Sequence, residues 1–91
     1  MRASTRALGP DAAELRVHPD GSYGEPWTWS CVASPKAGEP QTAWLTLAPR
    51  APGPDEHKAA AAALKALGYT HVQWERIDRS GARRTRAFKL R

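Results

Sequence analysis

The sequence predicts a two-layer α+β sandwich: an antiparallel sheet in (β)ββαββ order with one helix packed across one face. Three observations carry that expectation. Trp27–Ala33 and Thr42–Ala48 alternate with the period of two that a half-buried strand requires. Pro54–Leu67 is built of good helix formers between an N-terminal Pro and a C-terminal Gly. Thr70–Asp78 and Ala82–Leu90 are two further strand-like runs joined at Arg79-Ser80-Gly81, which reads as a hairpin.

Taken in order, residues 1–13 are small and polar without a period and read as a flexible N-terminal arm, leaving 14–91 as the single folded domain. Glu14–His18 alternates polar and apolar and fits a short strand, with a turn at Pro19–Ser22. In the next strand Trp27, Trp29, Cys31 and Ala33 share one face and point to core. Ser34–Gln41 reads as a loop because of its two prolines and glycine. The strand after it places Ala43, Leu45 and Leu47 on one face, opposite Thr42, Trp44 and Thr46.

The helix has Gly53 as N-cap, Pro54 at the first position, and Asp55 and Glu56 at the positive end of the dipole. Ala60, Ala63, Leu64 and Leu67 form its apolar stripe, and Gly68 is placed for a left-handed C-terminal cap.

Two registers compete in the final hairpin. A two-residue loop at Ser80-Gly81 would give two surface ion pairs, Glu75 with Arg86 and Asp78 with Arg83. Such exposed pairs are worth about 0.2–1 kcal/mol each. A three-residue loop, Arg79-Ser80-Gly81, pairs Val72 with Phe88 and Trp74 with Arg86. It puts Val72, Trp74, Phe88 and Leu90 on one face, where each buried apolar side chain gives roughly 1.5–3 kcal/mol. The three-residue loop is the expected one.

Composition bounds the function. The 91 residues, 41% hydrophobic and 25% charged, suit one small core. Cys31 is the only cysteine, so no internal disulfide can form, and its apolar neighbours read it as a small buried hydrophobe. The first ten residues lack the apolar core of a secretory signal, and the longest apolar run, Ala59–Leu64, is too short to span a bilayer. A cytoplasmic protein without a membrane partner is expected.

His18, His57 and His71 share no metal-ligand spacing with one another or with Cys31, and read as surface or turn residues. A Cys31–His71 nucleophile pair is disfavoured because the two side chains have opposite phases to their cores. Asp55 and Glu56 would repel a phosphate at the helix start. No catalytic residue, metal or cofactor is expected, and the chain reads as a non-enzyme.

Charge is the informative feature. From Arg76 to Arg91 seven basic residues face one acid, a net +6, while the whole chain is +5. A near-neutral body with a basic end points to one localised anionic partner. The residues expected to hold it are Arg76, Arg79, Arg83, Arg84, Arg86 and Lys89. In the favoured register Arg76 and Arg84 lie directly opposite, which is destabilising unless an anion comes between them. A nucleic acid or nucleoprotein is the expected partner, and an acidic protein would also serve. Trp44, in phase with threonines, is the candidate stacking residue or partner anchor, unless it packs against Leu15 or Val17. In size, alanine content and lack of catalytic groups the chain resembles the accessory proteins of phages and mobile elements, anti-CRISPR inhibitors among them. That resemblance implies a stoichiometric inhibitor or adaptor as the second reading, and it assigns no residue a role.

Overall fold

The computed structural model describes residues 1–19, 26–77 and 80–90, with backbone alone at 76 and 77. Most of the turn expected at Pro19–Ser22, and Asp78-Arg79 of the last loop, lie outside those residues. The elements are β1 (Arg2–Ala7), β2 (Ala13–His18), β3 (Trp29–Lys36), β4 (Glu39–Thr46), α1 (Pro54–Ala66), β5 (His71–Ile77) and β6 (Arg83–Lys89). They build a small α+β domain in which one helix packs on a six-stranded sheet of order β1-β2-β3-β4-β5-β6.

The sheet is mixed, where the sequence reading expected it to be antiparallel throughout. Every neighbouring pair is antiparallel except β4 and β5, which run parallel. The helix is the cause. It is the crossover between β4 and β5, and its 13 residues carry the chain back roughly 20 Å, so β5 restarts in the direction of β4.

A second correction is at the N-terminus. Arg2–Ala7, expected within a loose arm, is edge strand β1, paired with β2 from Arg2↔His18 to Ala7↔Ala13. The helix lies against β1 and β2, and Ala3 packs on the core from β1. His18, expected at the surface or in a turn, is fully buried. The Pro26 carbonyl can only accept, so Nδ1 donates to it (3.3 Å), and in the neutral ring Nε2 accepts from the Ser4 hydroxyl (2.8 Å).

Prolines account for the remaining differences at element boundaries. Trp27, expected in the core, precedes β3 and is 48% exposed, with the Arg16 guanidinium 4.0 Å from its ring centroid. Pro26 has no N–H to offer a ladder, and the chain joins β2 only where Thr28 N–H donates to Val17. Residues 34–41, expected as a loop, instead complete β3 and β4 around a tight turn with Gly38 at φ +80°. Pro35 lies beyond the last β2–β3 pair and Pro40 before the first β4–β5 pair, so neither faces a neighbour on that side. Leu47, expected beside Leu45, leaves the strand in the left-handed region at φ 59° and is 82% exposed. That conformation costs a non-glycine residue roughly 1–2 kcal/mol.

The helix start is held by more than propensity. Gly53 is the N-cap and Pro54 the first helical residue, as expected. Glu56 then reaches back, its Oε1 accepting the Gly53 N–H at 2.8 Å. Arg50 grips the same carboxylate with both arms, at 2.7 and 2.9 Å, and donates to the Thr28 carbonyl at 3.0 Å. The Trp29 indole N–H donates to the Arg50 carbonyl at 2.8 Å. The crossover is thus tied to the start of β3.

At the other end Gly68 is left-handed (φ +96°), with Gly68 N–H on Lys65 and Tyr69 N–H on Leu64, a Schellman cap. Of the expected stripe, Ala60 and Leu64 are buried and Ala63 is half-buried, while Leu67 is exposed.

The final hairpin has the expected register: Val72↔Phe88, Trp74↔Arg86 and Arg76↔Arg84, with Gly81 left-handed at φ +83°. Val72 and Leu90 are buried, but Trp74 and Phe88 are only half-buried.

This burial sets the expected cost of core substitutions. Leu64→Ala removes a fully buried side chain and is expected to cost about 2–5 kcal/mol in urea unfolding. Trp74→Ala is expected to cost less than the roughly 3–5 kcal/mol of a buried aromatic. A larger loss from Trp74 than from Leu64 would contradict the assigned burial.

A further prediction concerns pH. The Arg50 fork, helped by the Thr28 hydroxyl and the Gly53 N–H and opposed by burial, holds the Glu56 carboxyl at about 2, below its ordinary 4.5. A depressed carboxyl stabilises the fold above its unfolded pKa, and that stabilisation is lost as pH falls from about 5 towards 2. Glu56→Gln is expected to be less stable at pH 7 and to lose less on acidification. Parallel pH profiles for the two proteins would contradict the linkage.

Candidate functional site

The candidate site is built from β5 and β6, at the end of the sheet where the helix cover is incomplete. Six strands spaced about 4.8 Å apart are some 24 Å wide, and a helix is only about 10–12 Å across. Here α1 lies chiefly on β1 and β2, and towards β6 its His57 ring comes within 4.8 Å of that of Phe88. Between helix and sheet at that end is an open cavity of about 110 Å³. Trp29, Leu45, Trp74 and Phe88 line it from the sheet, and His57, Ala60, Ala61 and Leu64 from the helix. Thr46, Leu47, Ala48, Arg50 and Pro52 around the crossover, and Glu75 of β5, complete its lining. Trp74 and Phe88 meet edge to face, centroids 5.3 Å apart and planes at 79°. Two of the four helix residues that line the cavity, Ala60 and Ala61, are small and leave room beside these rings.

The hairpin sorts its basic residues by strand phase. Arg84 and Arg86 alternate with Phe88 and lie on the helix side, and both are exposed. Arg86 is the Cα partner of Trp74, so a cation stands directly beyond the cavity wall. Arg76 is the Cα partner of Arg84, its side chain lying outside the described residues, as does the whole of Arg79. Arg83 and Lys89 have the opposite phase. Arg83 pairs with Glu75 at 3.3 Å, and Lys89 lines a second, open groove of about 330 Å³ with Lys36 and His71. The expected basic set is therefore divided between two faces.

Against known proteins, this chain matches no family model, no curated protein and no solved structure. The chemistry of the site stands on its residues alone.

Trp44 lies on the face away from the helix, between Ser34 and Gln73, and is half-buried. The alternative, packing against Leu15 or Val17, is not made, because both of those are buried on the helix side. Trp44 is thus remote in face from Arg84 and Arg86. Cys31 is buried in the core, and burial pushes its thiol up to about 12, so it offers little thiolate at neutral pH. Among the described residues no three His, Cys, Asp or Glu side chains gather as metal ligands, and no helix is long and apolar enough to cross a membrane.

Sequence reasoning found the arginines from their density and missed the cavity. The only available signal was the run Ala59–Ala63, read as allowing close approach of helix to sheet.

Proposed function

We propose that this protein is a non-enzymatic binding module that docks nucleic acid, alone or within a nucleoprotein, on the helix-side face of the β5–β6 hairpin. The carrying observation is the placement of Arg76 and Arg84 as direct cross-strand partners, with Arg86 next along the same face. Arginines at backbone positions opposite one another allow a phosphate lying across the strands to be held from both. Arginine suits the role because its planar fork bonds phosphate oxygens in pairs. β6 is also an edge strand with an open side, so a backbone can run along it without displacing another element.

A second reading is favoured by one observation. Leu47 is 82% exposed and left-handed beside an open apolar cavity, as a protein anchor would require. In that reading the module is an inhibitor or adaptor, as in the accessory proteins of phages, and the arginines meet an acidic partner.

Salt separates the two. For Arg84→Gln with Arg86→Gln, affinity for single-stranded DNA is expected to fall. The slope of log affinity against log salt is expected to shrink by about 0.7 for each phosphate no longer neutralised. Arg83→Gln with Lys89→Gln, on the other face, is expected to change the slope less. Absence of wild-type binding to single or double strands at about 50 mM salt, where phosphate contacts are strong, would refute nucleic-acid docking and leave the protein-partner reading.

A further inference from the structure

We infer that the cavity beside the basic strand receives one unstacked base, so that the module takes single-stranded in preference to duplex nucleic acid. This rests on the phosphate-docking reading above and specifies its substrate class.

The first ground is the cavity itself. An open, mostly apolar recess with aromatic walls and a few polar groups is the usual form of a small-ligand site. At about 110 Å³ and open on one side, it can admit part of a single ring while the rest stays outside. For comparison, an engineered apolar cavity of about 150 Å³ accepts benzene. The half-buried Trp74 and Phe88 offer ring surface, and base stacking on such rings is tolerant of sequence because every base has a π-face.

The second ground is where the charge stands. Arg86 is the cross-strand partner of Trp74, and Phe88 follows it by two residues on the same face. Arg84 and Arg86 are separated by two residues of strand, about 6.7 Å. Two cations thus run along one edge in steps comparable to a nucleotide backbone, with the aromatic wall within one nucleotide of the nearer. A phosphate at Arg86 and its base in the cavity is one continuous residue of nucleic acid.

The third ground is what the cavity lacks. Arg50, the guanidinium in its lining, is forked onto Glu56 and donates also to the Thr28 and Ala51 carbonyls. The walls are otherwise mostly apolar, so the cavity reads size more than hydrogen-bond pattern. A one-ring pyrimidine therefore fits better than a purine. A duplex would have to unstack and unpair a base to fill the space, whereas a single strand has bases free to enter.

The test is equilibrium binding of the full chain to oligo-dT, oligo-dA, a duplex of equal length, and a fully abasic strand of equal length. Oligo-dT is expected to bind more tightly than the abasic strand by about 5- to 150-fold, the range for one stacked base. Oligo-dA and the duplex are expected to bind more weakly than oligo-dT. Ala61→Phe, which fills the cavity from the helix, should remove the advantage of oligo-dT while leaving the abasic affinity and its salt slope unchanged. Ala61→Leu fills less and serves if the larger residue unfolds the domain by urea titration.

Equal binding of oligo-dT and abasic strands, both salt-dependent, would overturn the base pocket and leave phosphate docking standing. Failure of every strand to bind would remove both readings. Tight binding of an acidic peptide bearing a Leu or Phe, weakened by Ala61→Phe while no strand binds, would also overturn the inference and assign the cavity to a protein anchor.

Discussion

The Arg50–Glu56 fork is the constraint on which the arrangement depends. Glu56 is buried, and a buried carboxylate without partners is expensive. Here its two oxygens accept from Arg50, and one of them also from the Gly53 N–H. Arg50 in turn donates to Thr28, and the Trp29 indole donates to Arg50. One ion pair therefore fixes three things: the first turn of α1, the path of the β4–α1 crossover, and its attachment to β3. Because Arg50 remains half exposed, its own desolvation is modest, and the fork keeps most of its attraction.

From that anchor the rest follows by geometry. A helix pinned at the start of β3 runs back over the sheet and returns the chain for a parallel β5. It lies chiefly on β1 and β2, and its His57 meets Phe88 of β6. The uncovered end is the hairpin that carries half of the lysines and arginines, and the incomplete cover is what leaves Trp74 and Phe88 half-buried. Charge and open aromatic surface coincide because one helix is too narrow for six strands.

Much of this was legible in the sequence, for reasons that differ by residue. The β5–β6 register could be chosen because burying Val72, Phe88 and Leu90 outweighs two surface ion pairs, a comparison needing only local pairing. Both helix caps were visible because Gly53-Pro54 and Gly68 are local signals. The parallel pair was not visible, since the direction of β5 depends on where the helix returns the chain. Strand β1 was hidden because Arg2–Ala7 carries little apolar surface and is held by pairing with β2 and by Ala3 against the core. Trp27 and Leu47 were assigned by extending an alternation past its end, beside Pro26 and Pro49. The basic half of the site is legible as composition. Its cavity is not, because Glu56 showed in sequence only as a dipole partner, and its long reach to Arg50 places the helix.

The central claim is that one face of the hairpin and the adjoining cavity bind the same strand. Its most direct test is the mapping of backbone amide chemical shifts during titration with oligo-dT. The account predicts that Arg84, Arg86, Phe88, Trp74 and Ala61 shift together, with one affinity, while Trp44 and Lys36 on the opposite face stay still. Shifts concentrated at Trp44, Lys36 and Lys89, with Arg86 and Ala61 unmoved, would contradict it.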